Sequence, residues 1–155
     1  PSLGGVYKLA GSFKGDELIP KIKVSEDPEK INNPGYKKVV RIYDSNNDAG
    51  SDLIMLKDEE IDTTKPLTVF HPTYTWKKLT FENYSIKELH KPLFINGECK
   101  YEYKPINEIK AYVKSQLDTF WDSYKRLSSP KRFKVDLSQK LWDLKNDLLE
   151  SKKVF

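Results

Sequence analysis

The side chains best able to do chemistry are concentrated between positions 21 and 38. Lys21 and Lys23 alternate in an extended run, so a strand would turn both toward one face. Lys30, Lys37 and Lys38 follow on a stretch bent by Pro28 and Pro34, with the Ser25 hydroxyl among them. Flexible ammonium groups gathered beside a hydroxyl can neutralise several phosphate oxygens at once. The commoner use of such residues is a solvated sheet face with its loop, so residue types alone leave both uses open.

No other stretch offers a reaction. The sequence has no Walker-type phosphate loop, dinucleotide-binding glycine fingerprint, H-E-x-x-H pair or G-x-S-x-G elbow. His71 and His90 are the only histidines, each near a proline and neither at metal-ligand spacing, which assigns them to structure or surface. Cys99 is the only cysteine, so an internal disulfide and a cysteine-based zinc site are both excluded; on a hairpin strand it reads as a small packing thiol. Asp58, Glu59, Glu60 and Asp62 form an acidic run suited to a solvated loop, from which no acid–base pair can be assigned. The expectation is no catalytic residue, no metal ligand and no cofactor held by this chain.

The elements that must position these residues change character along the chain. Up to about position 103, β-branched and aromatic residues recur in short runs between Gly, Asn, Asp and Pro, the pattern of hairpin strands. Runs at 5–13 and 18–24 flank a Lys14-Gly15-Asp16 turn, and runs at 38–43 and 53–56 enclose a loop whose Asn and Asp side chains bond their own backbone. Two prolines within 25–35 rule out regular structure there and leave a shaped connection. Strands are expected at 67–70 and 74–80. Ser85 and Glu88 have capping-box spacing, which predicts a short helix halted by Pro92. Asn96-Gly97, between 93–95 and 98–103, supplies the positive φ values of a type I′ hairpin turn.

From Pro105, apt for a first helical position, the apolar period becomes about 3.6: Ile106, Ile109, Val113, Leu117, Phe120, Trp121 and Tyr124 share one face. Beyond Ser128-Ser129-Pro130, Asp136 with Gln139 suggests the cap of a last helix striped by Leu137, Leu141, Leu144 and Leu148. Such stripes predict packing surfaces rather than cofactor boxes. The fold class is therefore α+β: antiparallel β hairpins or a meander in the first two thirds (about 1–103), then two amphipathic helices (about 105–155), in one domain over 1–155.

At 155 residues the chain can bury a real core, and 37% hydrophobic with 12% aromatic residues argues against disorder. A net charge of +4 invites a nucleic-acid reading, but 27 basic residues are interleaved with 23 acidic ones, the pattern of a solvated surface. A self-contained basic β-rich module gripping single-stranded nucleic acid is the alternative function, and the aromatics oppose it by sitting at positions that favour burial. No apolar run reaches the roughly 18 residues of a membrane span, the amino end lacks a signal-peptide pattern, and cysteine usage suits the cytoplasm. The chain opens Pro1-Ser2-Leu3-Gly4-Gly5 without an initiator Met, which reads as an internal cut by trimming or proteolysis.

Taken in order, three stretches resemble the end of nicotinate phosphoribosyltransferases of bacterial, Gram-positive type and of animals. Leu3-Gly4-Gly5-Val6-Tyr7-Lys8-Leu9 is similar to the strand that follows that family's barrel. Lys23-Val24-Ser25-Glu26-Asp27-Pro28-Glu29-Lys30, then Pro34-Gly35 and Lys37, resembles its K-x-S-x-x-x-x-K and P-G-x-K stretch. Ala111-Tyr112 through Gln116-Leu117-Asp118-Thr119, and the run 135–145, resemble its terminal helices.

The resemblance implies a parent enzyme making nicotinate mononucleotide from nicotinate and phosphoribosyl pyrophosphate, coupled to ATP hydrolysis with magnesium, in NAD salvage. It implies that the catalytic barrel lies upstream and that this segment joins amino-terminal strands in a second domain supporting a homodimer, inactive alone. Lys23, Ser25, Lys30 and Lys37 are the positions it offers as phosphate- or substrate-facing.

Overall fold

The computed structural model describes residues 4–74 and 76–151. Leu3 of the opening motif and Thr75 of the strand expected at 74–80 lie outside the described residues. Three hairpins form where turn chemistry predicts them. Strands β1 (Gly11–Lys14) and β2 (Glu17–Pro20) pair across Gly15-Asp16, shorter than the runs flanking them. Strands β3 (Lys37–Tyr43) and β4 (Ala49–Leu56) pair across a loop in which Asp44 Oδ1 accepts from the Asn46 and Asp48 N–H groups. In the third, Asn96 and Gly97 both adopt positive φ, 51° and 82°, the requirement of a type I′ turn.

β3 and β4 also form the centre of a mixed sheet with β5 (Leu67–Phe70), β6 (Lys78–Phe81), β7 (Ser85–Glu88) and β10 (Val135–Leu137), in the order β6-β5-β10-β4-β3-β7. The third hairpin, β8 (Phe94–Ile95) with β9 (Glu98–Cys99), stands apart from it. On one side of the large sheet Val40, Ile42, Leu53, Met55, Val69 and Tyr84 make a buried cluster flanked by Ile61, Leu67, Leu79, Phe81 and Ile86. Burial of this apolar surface is the main stabilising term, each such side chain contributing about 1.5–3 kcal/mol.

Two local expectations are corrected. Ser85 and Glu88 do not start a helix: this stretch is β7, paired with β3 so that Ile86 lies opposite Ile42. Packing on the core and ladder bonds outweigh a capping signal of only a few residues. Nor does Asp136 cap the last helix. It lies inside β10, runs parallel to β4 opposite Leu53, and its Oδ2 accepts the Ser51 hydroxyl at 2.6 Å. The cap is Ser138, whose Oγ accepts from the Leu141 N–H at the start of α3 (Gln139–Glu150). The same Oγ donates to Glu59 Oε1 at 2.7 Å, and that oxygen also accepts from the Leu56 N–H. One buried carboxylate thus ties the end of β4 to the start of α3.

The long helix expected from 106 to 124 breaks in two, α1 (Ile106–Leu117) and the single turn α2 (Asp122–Lys125). Between them Thr119 O accepts the Ala49 N–H, and Phe120, Tyr124 and Phe133 cluster edge to face. Arg41 lies under Phe120 and Phe133 while its guanidinium holds Asp52 at 2.7 and 2.9 Å. The packing predicted for the α1 stripe is not found within the described residues: none of its side chains is buried, and Ile106, Tyr112 and Val113 remain 62%, 50% and 48% exposed. No described helix is long and apolar enough to cross a membrane.

Candidate functional site

The four residues singled out from sequence lie on the 21–38 connection but do not converge. β2 ends at Pro20, so Lys21 and Lys23 are outside any strand; the Lys23 N–H donates to Asn32 Oδ1 at 2.6 Å and its side chain is exposed. Ser25 Oγ accepts from the Asp27 N–H, and Asp27 in turn caps a 3-10 turn at Pro28–Lys30. Lys30 Nζ pairs with Asp27 at 3.2 Å. Lys37 Nζ donates to Gly35 O at 2.5 Å and Pro34 O at 3.4 Å, and burial lowers its pKa from 10.5. The Lys37 bonds span the bend at Gly35, whose φ of +80° favours glycine and where an added Cβ would crowd the Leu56 side chain.

The connection does form the rim of something larger. Its residues Pro28, Glu29, Ile31 and Asn33 face the loop between β5 and β6 and the segment entering β10 across a cleft of about 810 Å³. The β5–β6 loop is held by backbone bonds from His71 N to Lys77 O and from Lys77 N to Tyr74 O. His71 Nδ1 accepts from the N–H groups of Thr73 and Tyr74, which turns the ring onto Tyr74, and Tyr74 in turn meets Trp76 at 5.4 Å between centroids. An aromatic ladder therefore lines one wall, with Lys77 Nζ over the Tyr74 ring. Lys78 follows this loop, and Arg132 and Lys134, on the segment entering β10, line the same cleft.

The floor is Lys145 of α3, 7% exposed, donating to Asn33 Oδ1 at 3.1 Å and Pro72 O at 2.8 Å. Burial lowers its pKa from 10.5. Lys145 is shared with a second, smaller pocket of about 320 Å³ that Ser25 and Trp142 also line, and the buried Trp142 Nε1 has no acceptor among the described residues. Of the four residues predicted for the site, only Ser25 lines either space. Sequence reasoning missed the cleft because its walls come from three distant segments. The available signal was the adjacency of aromatic and cationic residues in Tyr74–Lys78 and in Lys131–Lys134. Among the described residues no group of three His, Cys, Asp or Glu side chains could hold a metal ion.

A mixed six-stranded sheet with a capped terminal helix and a cleft at one end defines the chain as an α+β domain. The sequence pattern of the nicotinate phosphoribosyltransferase C-terminal domain family matches residues 36–145, and the chain belongs to that family. It is 39% identical over 146 residues to the nicotinate phosphoribosyltransferase of Bacillus subtilis, covering 94% of this chain and 30% of that protein. It is 34% identical over 150 residues to the enzyme of the same name from Caenorhabditis elegans, of which it covers 26%. A crystal structure of human nicotinic acid phosphoribosyltransferase shares the fold over 76% of this chain with a TM-score of 0.69 at 22% identity. The chain thus spans less than a third of the relatives it matches.

Proposed function

We propose that this chain serves as the C-terminal domain of an enzyme that forms nicotinate mononucleotide from nicotinate and phosphoribosyl pyrophosphate with ATP hydrolysis, in cytoplasmic NAD salvage. The observation that carries this reading is the 39% identity along 94% of the chain to a protein of that name. The domain's part is structural: it supports the remainder of the polypeptide and a homodimer, and has no turnover alone. The uncovered apolar face of α1 supports this, since a contiguous stripe of half-exposed Ile, Tyr, Val and Leu is a surface for docking. On the 21–38 connection, Lys23 and Lys30 are the phosphate-facing candidates, with Ser25 and Lys37 shaping the bend that presents them.

The test is to assay nicotinate mononucleotide formation by the parent-length enzyme with and without this domain, and with Lys23→Met plus Lys30→Met. Loss of the domain should abolish turnover, and the double variant should raise the KM for the phosphoribosyl donor. Full activity of a folded, truncated parent would overturn the supporting role, and unchanged kinetics would remove both lysines.

A further inference from the structure

Lys145 is a buried cation that meets only neutral oxygens, and among the described residues no carboxylate forms an ion pair with it. Taking an ammonium out of water without an anion is costly, so such a group favours the arrival of one. It does not stand alone: Lys78, Arg132 and Lys134 line the same cleft and likewise form no ion pair among the described residues. Two carboxylates are present in the walls, Glu29 at the rim and the buried Asp136, whose Oδ2 is taken up by Ser51. Cations therefore dominate.

The β5–β6 loop supplies what a flat ring needs. Trp76 is 72% exposed and tilted against Tyr74, so the two rings offer a stacking surface to a ligand. We propose that this cleft is a nucleotide-binding site, with the base stacked on Trp76 and Tyr74 and the phosphates directed to Lys78, Arg132, Lys134 and, at the inner end, Lys145. The volume of about 810 Å³ falls in the range of small-ligand sites. The site belongs to this domain and does not depend on the enzyme proposed above, so its test requires no turnover.

The 155-residue chain is titrated by calorimetry with ADP, adenosine and inorganic pyrophosphate, and amide and indole shifts are followed by NMR. ADP should bind saturably, shifting the Trp76 indole and the amides around Pro72 and Lys145. Adenosine and pyrophosphate should each bind about tenfold more weakly or worse. Trp76→Leu, and separately Arg132→Met with Lys134→Met, should weaken ADP by a similar factor while leaving the thermal melt unchanged; all three positions are exposed, so folding is not at issue. Lys145→Met should weaken it further if that variant folds. Absence of saturable ADP binding, affinity indifferent to the wall variants, pyrophosphate as tight as ADP, or preference for a single-stranded oligonucleotide would each overturn the proposal.

Discussion

At Asp62 one carboxylate oxygen accepts from the Thr64 hydroxyl at 2.5 Å and the Thr64 N–H at 3.1 Å, while the other meets Lys65 Nζ at 2.9 Å. The Tyr84 hydroxyl, reaching from the buried cluster, donates to the carbonyls of Asp62 and Lys65 and fixes the turn in place. These bonds, the Thr64 hydroxyl first, hold the Asp62 pKa at about 2 against an ordinary 3.8. Because the folded value is the lower one, Asp62 favours the folded state above 3.8 and loses that contribution as pH falls through about 2. Thr64→Ala should move the Asp62 midpoint, read by carboxyl NMR titration, up toward 3.8. A midpoint that stays where it was would mean that Lys65 and the backbone suffice. Nothing in the sequence marks this carboxylate from its neighbours Asp58 and Glu60, since the distinction lies in which oxygen a turn brings to which donor.

Two helices of 12 residues each carry apolar stripes, and the fold uses them differently. α3 buries Leu141 completely, and its Leu144 lies beside Gly35. α1 buries nothing. Leu141→Ala should therefore cost about 2–5 kcal/mol by denaturant unfolding, and Ile109→Ala within about 0.5 kcal/mol. Comparable costs would show that α1 packs in solution after all. Periodicity revealed both helices but could not say which face finds a partner, because a stripe records a demand for cover and not its source. Hairpins were legible for a different reason: Asn96-Gly97 and the 44–50 loop carry their turn conformations in their own side chains. β10 was not, since three residues ahead of a cap give no period and Asp136-x-x-Gln139 imitates a helix start. The cleft stayed hidden with it, because one of its walls is the approach to β10.

Seen as a whole, the molecule divides into a closed half and an open one. The large sheet and α3 enclose the core, whereas α1, the β8–β9 hairpin with Phe94, and Tyr103 present apolar surface. Such a patch favours self-association of the free chain. Ile109→Glu with Val113→Glu should reduce concentration-dependent association in sedimentation at tens of micromolar while leaving the melting temperature unchanged; equal association by both forms would locate the sticky surface elsewhere. The position of β10 carries a further consequence. β4 and β5 are successive in the chain but have a strand from near its far end wedged between them. At about 5–20 residues per second on the ribosome, a nascent chain waits several seconds with a slot open in its central sheet. Premature termination anywhere before Leu137 leaves that slot unfilled, so a quality-control protease would see a lesion late in this segment as an opening in the middle of its fold.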